Sequence, residues 1–433
     1  MGRTITFFSF LFLTIANLHA QLSDKDEEEK FKTDVKQLYQ DKSYNEEKFI
    51  HYKALNIIFN REINKLLTEA SDLSTRAAFA TLEEENNRLT LGYSINPNNK
   101  TTSGTDYIRY IWSMGIQADI EDNFSSLSVD SEIQNDIGVF VKFTQLFHGN
   151  IGYTDKAKIK KFRDEYLLDQ ALSYKYDKYK ESQKETDLTI EKKKSLDPTI
   201  NTEDEYNNAY TAAVKNTYNE TLIEEAETIT KGKYIKALRK TWWSARIYMP
   251  ISTTEYEVFK EESSPSSETK SFYPLSLEGS FSYYRKSMRI GTMQFTGSYN
   301  GFMNNSIAAN ILKEITFTSL PNNTPTTPVE LSTQNKYIGE FDSFITHNLK
   351  GDFVYFYRDF PVGLSASFDY SFGEYEASTW KIGIPFYLKG KNDDSAISVE
   401  LQWREIHEKT LSGKSTHALG FSIGIPFGNY VNQ

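Results

Sequence analysis

The stretch from Pro361 to Gln433 constrains the fold most, because its apolar side chains recur at every second position. The first run has Val362, Leu364, Ala366, Phe368, Tyr370 and Phe372 in alternation with small or polar residues. Similar runs follow at 380–389, 397–404 and 419–428. Successive side chains of a β-strand point to opposite faces, so the pattern predicts four strands that each have an apolar and a polar face. The short polar links between them predict an antiparallel meander.

The two faces of these strands differ in a way that favours a membrane barrel. The apolar face is large and aromatic, whereas the polar face mixes glycine and serine with charged residues. A membrane barrel turns its large apolar face to lipid and fills its lumen with small and charged groups. The chain contains 29 Phe and 28 Tyr but only 5 Trp. This content suits the aromatic girdles of a barrel, although an aromatic-rich soluble β-protein would have a similar composition.

The N-terminus predicts export. Residues 1–20 have the pattern of a secretory signal peptide, with Arg3, an apolar core over 5–15 and Ala20 before the expected cut. The chain has no cysteine, which excludes disulfides and thiolate metal sites. After the signal no run of 18 or more apolar residues occurs, so an integral protein would have to cross a membrane as a closed barrel.

Two regions have helical rather than strand periodicity. Residues 21–86 predict an amphipathic helical arm, since apolar residues recur there at three- and four-residue spacing. Residues 153–240 predict an inserted helical hairpin, with a break over 196–203. The remaining segments are interpreted as the first barrel strands at 87–152 and the main β-barrel meander at 241–433.

The strand count predicts the barrel size. About eight strands are evident after Trp242, and two to four more precede them or lie in ambiguous segments. One ambiguity is whether 337–357 is a single strand or a hairpin about Leu349–Asp352, and a tight link is expected at residues 285–287. The predicted fold is therefore mainly β with helical additions: an antiparallel transmembrane β-barrel of about 8–12 strands, with twelve preferred.

The last strand resembles the C-terminal strand of bacterial outer-membrane β-barrel proteins. It ends in Ile425-Pro426-Phe427 with Tyr430 just beyond, but three further residues follow that aromatic. The resemblance is to a class of proteins and covers one strand together with the general barrel pattern. It implies location in the cell outer membrane and carries no catalytic residues with it.

Features of enzymes and nucleic-acid-binding proteins are not evident. The net charge of −10 disfavours a nucleic-acid partner. The histidines after the signal form no HxH or HExxH motif, and no phosphate-binding glycine loop occurs. His417 and Ser422 lie five residues apart on one strand and so face opposite sides. We therefore predict no catalytic residues, no metal site, no cofactor and no enzyme activity.

Charged residues on the polar face are the candidate functional residues. The six candidates for a position facing the lumen are Arg246, Glu278, Asp369, Lys381, Glu400 and Arg404. In a wide barrel they would line a channel for small solutes, and in a narrow one they would form a salt-bridged filling. The predicted function is therefore that of a porin-like small-solute channel or a membrane-embedded scaffold. The expected partners are outer-membrane lipid, and small solutes or a protein bound through the helical insertion. A soluble exported binding module, which the mean hydropathy of −0.56 favours slightly, is the alternative.

Overall fold

A computed structural model gives the architecture of the chain. It describes residues 24–40, 50–63, 66, 73–74, 76–83, 88–96, 110–119, 128–129, 132–133, 137–147, 149–196, 201–251, 253–260, 267–309, 311–318, 333–358, 360–389, 396–408 and 415–430. The predicted signal peptide at 1–20 lies outside these residues. The described residues belong to two compact units, a helical unit within Met1–Phe59 and Tyr153–Ile235, and a barrel unit within Asn60–Lys100, Ile108–Gly152 and Lys236–Gln433.

The helices are numbered in chain order. They are α1 (24–40), α2 (Tyr52–Ile63), α3 (Lys156–Lys161), α4 (Ala171–Leu196) and α5 (Thr202–Lys231). A π-helical segment, Phe162–Gln170, joins α3 to α4. Asp155 caps α3 by accepting a hydrogen bond from the Lys158 N–H at 3.0 Å, and Asn201 caps α5 through the Glu203 N–H at 3.2 Å. These side chains satisfy main-chain donors that a helix start leaves unpaired.

The helical unit has its own hydrophobic core. Its buried members come from α1, the π-helical segment, α4 and α5, and they are Phe31, Val35, Tyr39, Leu167, Leu168, Leu172, Tyr176, Val214, Tyr218 and Leu222. Polar contacts align α1 on the other helices: Lys180 lies 2.9 Å from the Asp24 carboxylate, and the Tyr210 hydroxyl donates to Asp34 at 2.7 Å.

Helices α4 and α5 form an antiparallel hairpin, which confirms the predicted helical insertion. Lys175 lies 3.2 Å from Glu224, whereas Lys193 at the other end of α4 lies 2.8 Å from Glu205. The hairpin interpretation is wrong at its C-terminal border, because the strand that follows begins at Ile235. Residues 237–240 belong to that strand and pair in the sheet.

Within the described residues, twelve antiparallel strands close into a barrel. They are β1 (Arg76–Glu83), β2 (Arg88–Ile95), β3 (Tyr110–Asp119), β6 (Ile137–Leu146), β8 (Ile235–Pro250), β11 (Ser276–Ser287), β12 (Gly291–Asn305), β15 (Ser343–Phe356), β16 (Gly363–Phe372), β17 (Ala377–Lys389), β18 (Ala396–Glu408) and β19 (Ser415–Tyr430). Each pairs with the next of these in the chain, and β19 pairs with β1 to close the ring. The predicted barrel and its size are confirmed.

The other strands lie in the connections. They are β4 (Ser128–Val129), β5 (Glu132–Ile133), β7 (Asn150–Tyr153), β9 (Thr254–Phe259), β10 (Glu268–Phe272), β13 (Lys313–Thr318) and β14 (Thr333–Ile338). Strands β9, β10, β13 and β14 form a separate four-stranded sheet from the β8–β11 and β12–β15 connections.

The helical interpretation of the arm is wrong for residues 76–83, which form β1. The segment has three alanines and no β-branched aliphatic residue or tyrosine, so its local preference does not indicate a strand. Pairing on both edges overrides that preference: Phe79 lies opposite Pro426 of β19 and Gly92 of β2. The prediction missed β1 because its partners are distant in sequence.

Two ambiguous features are resolved by the register. Ser343–Phe356 is one continuous strand, and Gly351 lies in its middle opposite Gly297 and Phe368. The tight link expected at residues 285–287 is instead a turn at residues 288–290. Gly291, which follows the turn, has a φ of 116°, a conformation that glycine adopts readily and other residues rarely do.

The strand directions define two ends of the barrel. Arg76 at the start of β1 lies opposite Tyr430 at the end of β19. The first and the last strand of the barrel therefore begin and finish on the same side of it, here called the terminal end. Strand β6 ends and β8 begins at this end, so the chain leaves for the helical unit and returns from it there. The four-stranded sheet belongs to connections at the opposite end, here called the distal end.

Substitution of Gly115 tests how closely the strands pack. A Cβ atom at Gly115 would lie 2.0 Å from the Leu91 carbonyl oxygen and 2.8 Å from the Gly92 Cα, both main-chain atoms that move little. We expect Gly115→Ala to destabilise the barrel by about 1–3 kcal/mol, the usual effect of overpacking. Gly279→Ala is the matched control, because nothing lies within 4 Å of the added methyl group. The measurement is the midpoint of unfolding in detergent, and equal midpoints for the two variants would contradict this packing.

Candidate functional site

The outer wall of the barrel is apolar on every strand with described side chains. Large side chains point outward and are exposed; they include Leu91, Met114, Val141, Ile247, Leu277, Phe295, Leu349, Leu364, Ile384, Leu401 and Ile425. Leu419 is 82% exposed and Ile382 57%. On β19 the outward row runs from Leu419 to Phe427, about nine residues, which is the length of a strand that crosses a bilayer core. This surface is the reverse of a water-soluble β-protein.

Aromatic side chains gather near both ends of this wall. Near the terminal end Phe143 contacts Tyr110, Trp112 and Trp243 with ring centroids 4.9–5.7 Å apart. Near the distal end His347 stacks between Tyr299 and Phe372. The Tyr299 hydroxyl and His347 Nδ1 are 2.6 Å apart. Amphipathic rings at two levels of an apolar wall are typical of the interfaces of a membrane barrel.

The inner face is mostly polar and closely filled. Buried polar side chains line it on nearly every strand; they include Thr90, Ser94, Gln117, Lys142, Thr144, Ser244, Ser282, Gln294, Asp352, Ser365, Lys381, Ser398, Glu400, Gln402 and Ser422. Hydrogen bonds join them across strands, as between Ser94 and Ser113 at 2.8 Å and between Thr144 and Ser244 at 2.9 Å. Buried polar groups are stable only when paired in this way.

Arg246 and Glu278 lie opposite each other on β8 and β11 and point into the barrel. The Arg246 guanidinium lies 3.8 Å from the Glu278 carboxylate and donates a hydrogen bond to the Gln117 side-chain oxygen. It also lies over the Phe140 ring, 4.9 Å from the centroid. This cation is therefore held by a charge, a hydrogen bond and an aromatic face.

Asp369, Lys381 and Arg404 also lie on the inner face. Asp369 accepts a hydrogen bond from the Asn348 amide and interacts with the positive charge of Lys381. Lys381 lies opposite Arg404 in the β17–β18 register. The structure thus brings these three residues into one cluster on neighbouring strands, on a part of the wall separate from Arg246 and Glu278.

Glu400, the sixth candidate, lies deeper in the wall. It is 1% exposed and accepts a hydrogen bond from the Ser365 hydroxyl. A Cβ atom at the neighbouring Gly383 would lie 2.5 Å from a Glu400 carboxylate oxygen, so the glycine leaves room for this side chain. The arrangement suits a structural charge, because solvent barely reaches it.

Sequence reasoning missed further inward charges. Lys350 and Asp352 point inward from β15, 3.6 Å apart, and the Ser367 hydroxyl donates to Asp352 at 2.7 Å. They were not recognised because a hairpin at Leu349–Asp352 would have taken them out of the wall. Lys142 and Lys240 are likewise inward and buried. Their positions on the inward-facing rows of β6 and β8 were the sequence feature that could have identified them as inward charges.

The described residues contain no group of three or more His, Asp or Glu side chains that could hold a metal ion. Among the same residues no helix is long and apolar enough to cross a membrane. His417 is exposed and stacks on Trp403, whereas Ser422 is 2% exposed on the other face, so the two do not meet.

A buried ionisable cluster lies in the helical unit. Glu225 on α5 is fully buried, and its carboxylate accepts a hydrogen bond from the His51 main-chain N–H at 3.4 Å. Burial raises the pKa of Glu225 from 4.5 to about 7, although Tyr39, this N–H and Arg163 favour its ionised form. Burial and nearby Lys53 lower the pKa of His51 from 6.5 to about 3. His51 is accordingly neutral, and its Nδ1 accepts a hydrogen bond from the Lys53 N–H at 3.1 Å.

The comparisons with known proteins identify no family. No protein-family model matches the chain, and no curated protein sequence matches it. Among solved structures the chain is similar to the CymD monoaromatic hydrocarbon channel, with 7% sequence identity over 79% of this chain and 73% of that one. The TM-score of 0.25 is too low for this likeness to support a conclusion. The class of protein is therefore defined by the fold itself, a closed twelve-stranded β-barrel with helical additions.

The Glu225 cluster predicts a pH dependence of the helical unit. Because folding raises the pKa of Glu225, its contribution to stability is present below pH 4.5 and is lost as the pH rises through about 7. His51 acts in the opposite sense, since its lowered pKa gives stability above pH 6.5 that is lost as the pH falls toward 3. We expect Glu225→Gln to abolish the loss of stability between pH 4.5 and 7 that Glu225 causes.

The measurement is urea unfolding of the full-length protein in detergent, followed by helical circular dichroism across this pH range. Glu220→Gln is the matched control, because Glu220 is exposed on the same helix. Parallel changes with pH in the free energies of unfolding of wild type and Glu225→Gln would contradict a raised pKa of Glu225 in the folded protein.

Proposed function

We propose that this protein is an integral outer-membrane β-barrel of a diderm bacterium, of the porin-like class that passes small solutes. The observation that carries the proposal is the inverted polarity of the closed barrel: exposed apolar side chains outside and buried, paired polar groups inside. Only helices and closed barrels satisfy their main-chain groups within lipid. The signal-like residues 1–20 supply the route of export.

A soluble exported binding module fits the wall poorly. Exposed apolar patches on soluble monomers rarely exceed a few hundred Å². Here side chains such as Leu364, Ile382 and Leu401, each more than half exposed, form rows around the barrel. In water this surface would drive aggregation, whereas in lipid it stabilises the protein.

The orientation in the membrane follows from the even number of strands. Bacterial barrels place both chain ends in the periplasm, so the terminal end is proposed to face it. Strands β6 and β8 connect to the helical segment of the chain at that end, so we propose that these two connections are periplasmic. The four-stranded sheet of the long distal connections would then face outward.

The inward charges suit a passage with modest ion selectivity. Arg246, Glu278, Asp369, Lys381, Glu400 and Arg404 are of mixed sign, so no strong preference for one sign of ion is expected. A membrane-embedded scaffold is the second candidate, and the low exposure of the inner side chains favours it. In that case the helical insertion is the proposed contact surface for a protein partner.

Location is tested by fractionation. The full chain should pellet with outer membranes, require detergent for extraction and migrate differently on a gel when it is not boiled. Recovery as a soluble monomer from the periplasm or the medium would overturn the proposal.

The lipid-facing wall is tested by placing arginine on it. Ile384 lies in the middle of the outward row of β17, and Ile384→Arg should cost about 2–4 kcal/mol near the bilayer midplane. Ser415→Arg is the control, since Ser415 is exposed at the distal start of β19. The yield of heat-modifiable folded protein should fall for the first variant and not for the second. Equal yields would mean that Ile384 does not face lipid.

A further inference from the structure

The inner face of the barrel changes character at the terminal end. Eight inward-facing side chains there are apolar or aromatic and 0–9% exposed, and they lie beside buried polar ones such as Lys240, Thr292 and Ser398: Ile111, Leu146, Leu238, Trp242, Tyr284, Val354, Phe356 and Tyr387. We call this set the collar. It comes from six strands, and Phe356 and Tyr387 meet edge to face at 5.6 Å. Apolar side chains that face a lumen gain stability only when something apolar covers them.

Buried residues of the same unit lie at the end of α2 and between α2 and β1. Ile63, Leu66 and Leu73 are 0–3% exposed, and Ser74 is 1% exposed. The Glu62 carboxylate lies 2.9 Å from the Lys286 ammonium group, and Glu62 interacts electrostatically with the Tyr284 hydroxyl. Tyr284 and Lys286 both point inward on β11, so Glu62 reaches the inside of the barrel. Glu62, Ile63, Leu66, Leu73 and Ser74 are called the plug residues.

We propose that the plug residues close the terminal end of the lumen and that the Glu62–Lys286 ion pair holds them there. The inference rests on the proposed membrane barrel and deepens it, because it places the closed point of the passage. The apolar plug side chains cover the collar, and the ion pair fixes their position. Displacing them would expose the collar to water and open the path to the polar middle of the lumen.

A purely structural role is the competing explanation. The same contacts could anchor α2 without closing anything. The two differ in whether loosening the contacts admits water-soluble reagents to the lumen, which can be measured without any assumption about conduction.

The first experiment tests placement in the full chain, which has no cysteine of its own. A Glu62→Cys, Lys286→Cys double variant should be joined by a short bis-maleimide in the folded, membrane-inserted protein. A Glu62→Cys, Ser415→Cys pair is the control, because Ser415 lies at the distal end. Absence of the first cross-link, or equal formation of both, overturns the placement of the plug.

The second experiment tests closure. Ser398, 1% exposed and inward on β18, is replaced by cysteine and labelled with a membrane-impermeant maleimide. Leu66→Ser with Leu73→Ser should raise the labelling rate by about tenfold or more, since burial of one leucine is worth at least that factor. Ser415→Cys should label at one rate in both backgrounds. Heat-modifiable migration verifies that each variant is folded, and an unchanged Ser398→Cys rate in a folded variant overturns the plug.

Charge reversal tests the ion pair if the leucine variants fail to fold. Glu62→Lys should speed labelling at Ser398→Cys, and adding Lys286→Glu should restore the slow rate. Failure of this rescue would remove the ion pair from the proposal.

Planar-bilayer recordings then separate this inference from the proposed function. Faster labelling with new conductance in the loosened variants supports both. Faster labelling with silent bilayers keeps the plug and overturns the channel in favour of the scaffold. Free conductance in the wild type, together with equal conductance of the Glu62→Cys, Lys286→Cys variant before and after cross-linking, overturns the plug and keeps the channel.

Discussion

The pairing of β1 with β19 is the contact on which the rest of the barrel depends. It converts a meander with two open edges into a ring in which each wall strand has a neighbour on both sides. In lipid an unpaired main-chain group costs several kcal/mol, so an open edge could not persist there. Strand β1 is short and rich in alanine, and its contribution is hydrogen bonding and closure more than side-chain packing. Its ring at Phe79 nevertheless packs with Phe140 and Tyr248 inside the barrel.

Closure places the two faces of every strand in different surroundings, and the side chains match them. The middle of the lumen has charges that find partners within the wall, such as Arg246 with Glu278 and Lys350 with Asp352. The terminal end differs, because the collar adds buried apolar side chains to the inner face, and the proposed plug would cover them.

The sequence predicted what depends on local periodicity. The alternation at 362–372 and 380–389 identified β16 and β17 with the correct faces, and the three- and four-residue spacing identified the helical hairpin. The sequence pattern could not predict features that depend on contacts between residues distant in the chain. β1 lacks a strand-like composition and exists because β2 and β19 flank it. The burial of Glu225 and the contact of Glu62 with Lys286 join residues far apart in sequence, and no periodicity records them.

The claim that the outward rows face lipid is tested most directly by spin labels along β19. The chain has no cysteine, so single cysteines from 420 to 425 can each carry one nitroxide in the reconstituted protein. Labels at Phe421, Ile423 and Ile425 should be accessible to oxygen and shielded from a polar nickel reagent. Labels at Gly420, Ser422 and Gly424 should be shielded from both. High accessibility of Phe421 and Ile423 to the nickel reagent would place this wall in water and contradict the account.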